Sequence, residues 1–217
     1  KDIALPHHKD EIKRKKLTVE NMNDVIKNIK NYKTISEEKD CDYRWSDRDM
    51  LIISLLINTG MRATALSEIN VSDINMDAKE IIVTDKRDKK HIYILNDGVM
   101  EILKEWLEDR NELISEAGAE QSDALFITKF RKRIGYASIY NIVKKYTGGI
   151  VGDCGVSPHK FRSALVTLLY DKTHDIEFVR RVIGHEYIST TQRYIIDTDN
   201  VGVRKKANEI ISSLTEF

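Results

Sequence analysis

Apolar residues along most of the chain recur three or four positions apart, which is the spacing of one face of an α-helix. A first stripe follows Thr18, a residue type that caps helix N-termini. A second helix is expected to begin at Ser46, with Asp49 three residues on, and to run through residues 50–57. The pattern therefore predicts a mainly helical protein. Further predicted helices begin at or after Asn96 or Asp97, Ser138, Ser157, Asp175 and Ser189.

A different pattern occupies residues 80–84 (EIIVT) and 91–95 (HIYIL). Both runs are rich in β-branched and aromatic residues, and six polar residues separate them, as in a β-hairpin with a charged tip. No other segment of the sequence gives a strand signal of this strength. The predicted fold class is therefore mainly α with a small antiparallel β-sheet (α+β).

One predicted helix carries candidate functional side chains in its first turns. Ser157 suits the N-cap and Pro158 the first turn, which places His159 and Arg162 three residues apart on one face. A helix N-terminus presents free backbone N–H groups and favours an anion. Since the two side chains add cationic donors there, we expect them to bind a phosphate oxygen, as in a phosphodiester.

Two further candidates follow the next helix, which Gly184 is expected to end. His185 lies just beyond that end, and Ser189 with Gln192 is expected to form a capping box for a helix that contains Tyr194. A histidine donates or accepts a proton near neutral pH, and a tyrosine hydroxyl can attack phosphorus and form an ester. Taken singly, each such residue is more often a packing residue with a satisfied hydrogen bond.

The composition fits a folded domain with a sizeable core. The chain has 217 residues, of which 41% are hydrophobic, and contains no run of eighteen apolar residues that could span a membrane. Lysine plus arginine and aspartate plus glutamate both number 35, so the net charge alone does not indicate a nucleic-acid-binding protein. Basic islands at residues 13–16, 86–90 and 129–133 contrast with the acidic segment 101–123. A basic face and an acidic back can therefore coexist, although a single charge run is usually a solvated surface.

Metal and nucleotide cofactors are not expected. Cys41 and Cys154 are far apart and form no CxxC pair, which indicates two free thiols in a reducing cytoplasm rather than a disulfide or a zinc site. The glycine-rich segment 147–155 lacks the lysine-serine ending of a phosphate-binding loop. A metal enzyme is a rival hypothesis, but the sequence has no close carboxylate–histidine ligand motif. Its candidate ligands would be His7, His8, His159, His174 and His185.

Three segments, "LLINTGMRATAL", "SPHKFRSALVTLL" and "VIGHEYISTTQRY", resemble the three catalytic boxes of the tyrosine recombinase family, the phage and transposon integrases, and they occur in the family's order. In the hairpin, Lys86 falls where this family keeps a catalytic lysine, with Lys89 and Lys90 at the same tip as alternatives. The residues that the resemblance carries over as catalytic are Arg62, Lys86, His159, Arg162, His185 and Tyr194.

The resemblance implies metal-independent chemistry at one DNA phosphate. Arg62 and Arg162 would hold the non-bridging oxygens and stabilise the transition state. Tyr194 would attack and leave a 3′-phosphotyrosine and a free 5′-hydroxyl. Lys86 would protonate the leaving group, and His159 would assist proton transfer. Because the link keeps the phosphodiester energy, another strand's 5′-hydroxyl could reseal it, and the implied function is site-specific DNA recombination by integration or excision.

The resemblance also predicts how the chain is organised. Residues 17–217 are expected to form the catalytic domain, preceded by a basic linker or arm at residues 1–16. The DNA-clamping N-terminal core-binding domain usual in the family is not recognised in this sequence. Apolar residues after the polar segment "DTDN" recur at helical spacing, so residues 201–215 are expected to form an amphipathic tail helix.

The expected partners follow from the same family resemblance. They are double-stranded DNA and further copies of this chain, as a tetramer on DNA joined through the tail helix. Accessory DNA-binding factors are further candidates. The tail would pack on a neighbouring subunit in the family manner or fold back on its own domain, and the sequence leaves both open. The expected location is the cytoplasm of a bacterial or archaeal cell, or of a virus-infected one, on DNA and without a membrane.

Two rival functions share part of this pattern. A type IB topoisomerase uses the same chemistry but reseals the same strand, and the short boxes resemble integrases more. A non-catalytic DNA-binding protein could use the same helices to grip the DNA backbone. Grip alone does not require a tyrosine nucleophile, so the matched positions disfavour that hypothesis.

Overall fold

The computed structural model describes residues 16–39, 42–84, 90–117 and 122–196, with residues 194–196 as backbone only. The described part is mainly helical with one small antiparallel sheet, which confirms the predicted fold class. The helices are α1 (Val19–Glu38), α2 (Arg44–Thr59), α3 (Ala63–Glu68), α4 (Asp97–Glu116), α5 (Tyr136–Thr147), α6 (Pro158–Thr173), α7 (Ile176–Ile183) and α8 (Ile188–Ile196), with a 3₁₀ turn at Val71–Asp73. None of these helices combines the length and apolar character that a membrane crossing requires.

The sheet has three antiparallel strands in the order β1 (Ile74–Asn75), β2 (Glu80–Thr84) and β3 (Lys90–Ile94). The predicted hairpin is formed by β2 and β3, with Ile81 opposite Tyr93. The two-residue strand β1 was not predicted, because it is too short to show a period of two. The hairpin tip, residues 85–89, lies outside the described residues, and with it lies Lys86.

The central helix of the core is α2, which packs against α1, α4 and α6. Its apolar run is buried on nearly every side, as expected for a helix enclosed by neighbours. The predicted start at Ser46 is wrong, because the helix begins two residues earlier at Arg44. Ser46 and Asp49 lie inside the helix and are buried, and Asp49 accepts hydrogen bonds from Arg48 and from the Tyr146 hydroxyl.

Four helix starts agree with the capping residues seen in the sequence. Thr18 forms a capping box with Asn21, the Asn96 side chain accepts the N–H of Val99, and Asp175 caps α7 through the N–H groups at positions 177 and 178. Ser157 is the N-cap of α6, as predicted, with Pro158 in its first turn.

Two other predicted starts are wrong by one or two residues. Helix α5 begins at Tyr136 after Gly135 rather than at Ser138, and α8 begins at Ile188, so that Ser189 lies inside the helix. Gly135 caps α5 without a side-chain hydrogen bond, and Tyr187, which precedes α8, is not a residue of a capping type, so the sequence pointed to the nearest serine in both cases.

The basic island at residues 129–133 is partly structural. Arg131 Nε donates a 2.7 Å hydrogen bond to the carbonyl of Leu113, and Arg133 donates to the carbonyl of Ile69. These bonds fasten the loop before α5 to α4 and α3. Lys129 and Lys132 are exposed, so only these two residues of the island present a solvated charge.

Helices α6, α7 and α8 pack on one another at one end of the molecule. A small apolar cluster of Val166, Val179 and Ile183 lies between α6 and α7, separate from the main core. Because α6 also packs against α2, this three-helix unit is held at the C-terminal end of the central helix.

Candidate active site

The turn that ends α2 contacts α6 directly. Gly60 caps the helix in the left-handed conformation with φ of +60°, and a Cβ at this position would lie 3.0 Å from Leu165 Cδ2 and 3.2 Å from Ile183 Cδ1. Both the backbone conformation and the lack of space favour glycine here. The tight turn sets the position of Arg62, which is the N-cap of α3 and is exposed.

Arg162, on the second turn of α6, is 2% exposed and joins three segments of the chain. One terminal nitrogen donates to the carbonyl of Gly60 at 2.7 Å, and the other donates to the carbonyl of Ile183 at 3.0 Å. Nε lies 3.2 Å from Nε2 of His185. The guanidinium therefore fixes the ends of α2 and α7 relative to α6.

The hydrogen bonds of His185 define its protonation state. An arginine Nε–H can only donate, so Nε2 of His185 must accept, and the ring proton resides on Nδ1. Nδ1 lies 2.9 Å from the hydroxyl oxygen of Thr191. Burial lowers the pKa of His185 to about 3, and the positive charges of Arg162 and Arg62 and the proximity of His159 reinforce the shift. The imidazole is thus neutral at pH 7.

His159 lies at the surface near the same arginines. Partial desolvation and the positive charges of Arg162, Lys160 and Arg62 lower its pKa. The expectation that His159 acts as a cationic donor beside Arg162 needs correction. Arg162 is buried and bound to backbone carbonyls, whereas His159 is exposed and, with its pKa lowered, is mostly neutral at pH 7.

The turn between α7 and α8 contacts the hairpin. Gly184 ends α7, as predicted, with φ of +72°, and a Cβ on it would lie 2.9 Å from the His91 ring on β3. Arg180 donates to the carbonyl of His185 at 2.8 Å and forms an ion pair with Glu177, which holds the turn from the other side. The hairpin whose tip contains Lys86 is therefore packed against the segment that contains His185.

Four of the six predicted site residues lie near one another at the end of α2: Arg62, His159, Arg162 and His185. Their proximity is seen in the pKa values, because both arginines lower the pKa of both histidines. Tyr194 lies in α8, which packs against α6 and α7, and its side chain is not described. Lys86 lies outside the described residues.

Sequence reasoning missed two contributors to this region. Thr191 is fully buried and hydrogen-bonded to His185, and His91 packs against Gly184. A signal for Thr191 was present, because it precedes Tyr194 by three residues and so lies on the same side of α8. No sequence pattern pointed to His91.

Metal-ligating side chains do not cluster in the described part of the chain. Within it, no group of three or more histidine, cysteine, aspartate or glutamate side chains is close enough to hold a metal ion. Cys154 is an exposed free thiol, while Cys41 lies outside the described residues.

Comparisons with known proteins agree with the motifs. The model of the phage integrase family matches residues 15–200. The tyrosine recombinase XerC of Psychromonas ingrahamii is 30% identical over 149 residues, which cover 69% of this chain and 48% of that protein. XerC of Caldanaerobacter subterraneus is 31% identical over 185 residues, covering 82% of this chain and 50% of that protein. The chain thus spans about half the length of the curated relatives it matches.

Solved recombinase structures share the fold. XerA recombinase superposes with a TM-score of 0.68 at 22% identity, covering 89% of this chain and 64% of that one. The XerH recombinase, in a post-cleavage complex with a palindromic difH substrate, superposes with a TM-score of 0.71 at 24% identity, covering 88% of this chain and 52% of that one. At these identities the likeness concerns the fold alone.

Proposed function

The chain belongs to the phage integrase family, and from this premise we propose that it cleaves and rejoins DNA strands in site-specific recombination. The reaction proceeds through a covalent 3′-phosphotyrosyl link at Tyr194 and needs no metal ion. One observation carries the proposal: Arg62 and Arg162 lie close enough to lower the pKa of both His159 and His185, and His185 contacts Thr191 on α8, the helix that contains Tyr194.

The two arginines supply the positive charge that phosphoryl transfer requires. The terminal nitrogens of Arg162 donate to the carbonyls of Gly60 and Ile183, and these bonds hold the guanidinium charge in place for the phosphate. Arg62 is exposed at the adjacent turn and can approach the same phosphate. A guanidinium fixed before substrate binds costs little reorganisation when charge grows in the transition state.

The covalent step exchanges one ester for another. The phenol oxygen of Tyr194 attacks phosphorus, the bond from phosphorus to the 5′-oxygen breaks, and the 3′-phosphate stays on the enzyme. The phenol proton passes to His159, whose lowered pKa leaves the ring mostly neutral and able to accept it. The departing 5′-oxygen takes a proton from Lys86 at the hairpin tip.

Attack by the 5′-hydroxyl of a second strand reverses these steps and completes the exchange. Since one ester replaces another throughout, the reaction needs no ATP. We propose that residues 17–217 form the catalytic domain, with residues 1–16 as a basic arm. The substrate is double-stranded DNA, bound by a tetramer whose subunits are joined through a tail helix at residues 201–215, which lie outside the described residues. Accessory DNA-binding factors would act on this assembly.

The decisive test is to trap the covalent protein–DNA adduct on a nicked DNA substrate. Cleavage near the nick releases the short fragment that carries the 5′-hydroxyl, so the strand cannot be religated. The wild-type protein should form an adduct resistant to boiling in detergent, and mass spectrometry should place the DNA on Tyr194. Tyr194→Phe should form no adduct yet bind the DNA with nearly unchanged affinity. Tyr187→Phe is the matched control, because Tyr187 is an exposed tyrosine immediately before α8.

Three outcomes would overturn the proposal. They are an adduct that persists in Tyr194→Phe, an adduct that maps to another tyrosine, or cleavage that stops in excess EDTA and returns with magnesium. To separate recombination from topoisomerase-like relaxation, the captured complex is offered a strand with a 5′-hydroxyl from a different duplex. A recombinase joins that strand, whereas an enzyme restricted to relaxation reseals its own.

A further inference from the structure

Thr191 on α8 has a buried hydroxyl that core packing alone does not explain. Thr191 is fully buried on a helix whose neighbouring residues Gln192 and Arg193 are exposed. A valine would fill the same volume without burying a hydroxyl, so the oxygen must be compensated by a hydrogen bond. Its partner is Nδ1 of His185, at 2.9 Å.

This hydrogen bond fixes which nitrogen of His185 carries the proton. A neutral imidazole has one N–H and one acceptor nitrogen, and the partner of one nitrogen sets the role of the other. With the hydroxyl oxygen of Thr191 accepting from Nδ1–H, Nε2 is the acceptor nitrogen. Nε2 faces Nε–H of Arg162, which can only donate. The opposite tautomer would place two N–H groups against each other.

The hydrogen bonds from Thr191 through His185 to Arg162, here called the relay, connect α8 with α6, the two helices that the proposed reaction must align. Arg162 lies on α6, His185 lies in the turn after α7, and Thr191 lies on α8. Thr191 precedes Tyr194 by three residues, which corresponds to a rise of about 4.5 Å along one side of the helix. A shift of α8 therefore moves the nucleophile and the hydroxyl of Thr191 together.

We propose that Thr191 is a positioning residue whose hydroxyl holds His185 as the Nδ1–H tautomer, so that Nε2 keeps the guanidinium of Arg162 in register with the helix that bears Tyr194. This role rests on the proposed reactions of Arg162 and Tyr194. His185 acts in this arrangement through Arg162.

The hydrogen bonds can be tested without any reaction. In protein labelled with ¹⁵N-histidine, ring correlation spectra distinguish a protonated Nδ1 from a protonated Nε2, and the His185 signals are assigned by their loss in His185→Asn. Wild type and Thr191→Ser should show protonated Nδ1 and acceptor Nε2. Thr191→Val removes the acceptor and should shift His185 toward the other tautomer or to a mixture.

The functional consequence is measured as single-turnover cleavage of the nicked substrate. Thr191→Val should slow cleavage by about 10-fold, since small displacements of a positioned group cost at least this much, while affinity for the DNA half-site stays within about twofold. Thr191→Ser should retain most of the rate. Thr190→Val is the control, because the adjacent threonine is not buried.

A double mutant decides whether Thr191 acts through His185. If it does, Thr191→Val should slow His185→Asn no further, whereas independent effects would multiply. Additional slowing in the double mutant would overturn the relay, and so would a Thr191→Val protein with the wild-type tautomer and rate. If Thr191→Val does not fold, Thr191→Ala gives the same comparison. A wild-type protein that cleaves no DNA would contradict the proposed function, while the tautomer spectra would still decide whether the relay exists.

Discussion

Two clusters of polar side chains, each with at least one buried member, lie at opposite ends of α2, about 20 Å apart along the helix. The site cluster (Arg162, His185 and Thr191) adjoins its C-terminal end, and the acidic cluster (Lys33, Asp47 and Asp109) adjoins its first turn. In the site cluster, the hydrogen bonds pair N–H donors with acceptors. The acidic cluster instead brings two carboxyl groups together beside one ammonium group.

The difference shows how the same helix supports two kinds of electrostatics. Burial and repulsion from arginines keep His185 neutral, so an added proton would disrupt the site cluster. In the acidic cluster, burial, with the hydrogen bond and negative charge of Asp47, raises the pKa of Asp109 to about 7. In the acidic cluster, it is therefore the loss of the Asp109 proton that would disrupt the arrangement. The two clusters should therefore respond to pH in opposite directions.

The largest expected effect is that of Arg162→Ala, which removes the centre of the site cluster. Two carbonyls and His185 lose their buried donor, and we expect the free energy of unfolding to fall by about 3 kcal/mol. The cleavage barrier should rise by on the order of 3 kcal/mol, as for loss of a transition-state donor. Denaturant unfolding and single-turnover cleavage give the two values.

Arg62→Ala is the matched variant for this test. Because Arg62 is exposed, the free energy of unfolding of Arg62→Ala should change by less than about 0.5 kcal/mol. Its cleavage activity should still fall to a similar extent as that of Arg162→Ala. Equal stability losses in both variants would show that Arg162 has no special structural role. Normal cleavage in either variant would remove that arginine from the reaction.

Most of the fold could be predicted because local signals decided it. The stripe after Thr18, the cap at Asn96 and the hairpin of β-branched and aromatic runs each require only neighbouring residues, and all three are confirmed. The wrong starts have a common cause. Ser46 looks like a cap in the sequence, but it is buried within α2, and its role depends on helices distant in the chain.

The sequence predicted which residues belong to the site better than it predicted how they are arranged. Motif spacing pointed to Arg162 and His185, and the structure brings them within 3.2 Å of each other. That Arg162 is buried and bound to the Gly60 carbonyl depends on a contact across 102 residues, which no local pattern contains. The same holds for His91 against Gly184, where only the fold brings the hairpin to the turn.

The second prediction concerns acid stability through His185. Its folded pKa of about 3 lies below the unfolded value of about 6.5, so between these values the unfolded chain binds more protons. This group's contribution to stability is complete above pH 6.5 and is lost as the pH falls toward 3. Between pH 7 and pH 5 the loss should be about 2 kcal/mol.

His185→Asn isolates this contribution, since asparagine does not titrate. The difference in unfolding free energy between wild type and His185→Asn should shrink as the pH falls from 7 to 5. A difference that stays constant over this range would mean that His185 is not held neutral in the folded protein.

The third prediction concerns the ammonium group of the acidic cluster. Burial opposes the charge of Lys33, but the 2.7 Å contact and attraction of Asp47 outweigh it, and the pKa of Lys33 is raised. Lys33→Ala should lower the free energy of unfolding by about 1.5 kcal/mol at pH 8, because the buried Asp47 carboxylate loses this partner. Lys30→Ala, on an exposed position of the same helix, should have little effect on thermal unfolding. Similar changes in both variants would show that the contact of Lys33 with Asp47 contributes nothing to stability.

The smallest effect, and the only expected gain, comes from Asp109→Asn. The folded pKa of Asp109, about 7, lies above its unfolded value of about 3.8, so the folded chain binds more protons between them and stability falls as pH rises through this range. An amide cannot ionise and can donate a hydrogen bond to Asp47. The gain should be nearly absent at pH 4 and reach about 1 kcal/mol at pH 8, well below the full shift because the side chain keeps some solvent contact. For a domain of this size that is a rise in Tm of about 2 to 4 °C.

Melting curves of wild type and Asp109→Asn at the two pH values measure this gain. In the Lys33→Ala background the gain should be larger, since repulsion between the carboxylates is then less compensated. A loss of stability at pH 8 would show that Asp109 is ionised and favourably paired, and the contrast between the two ends of α2 would fail.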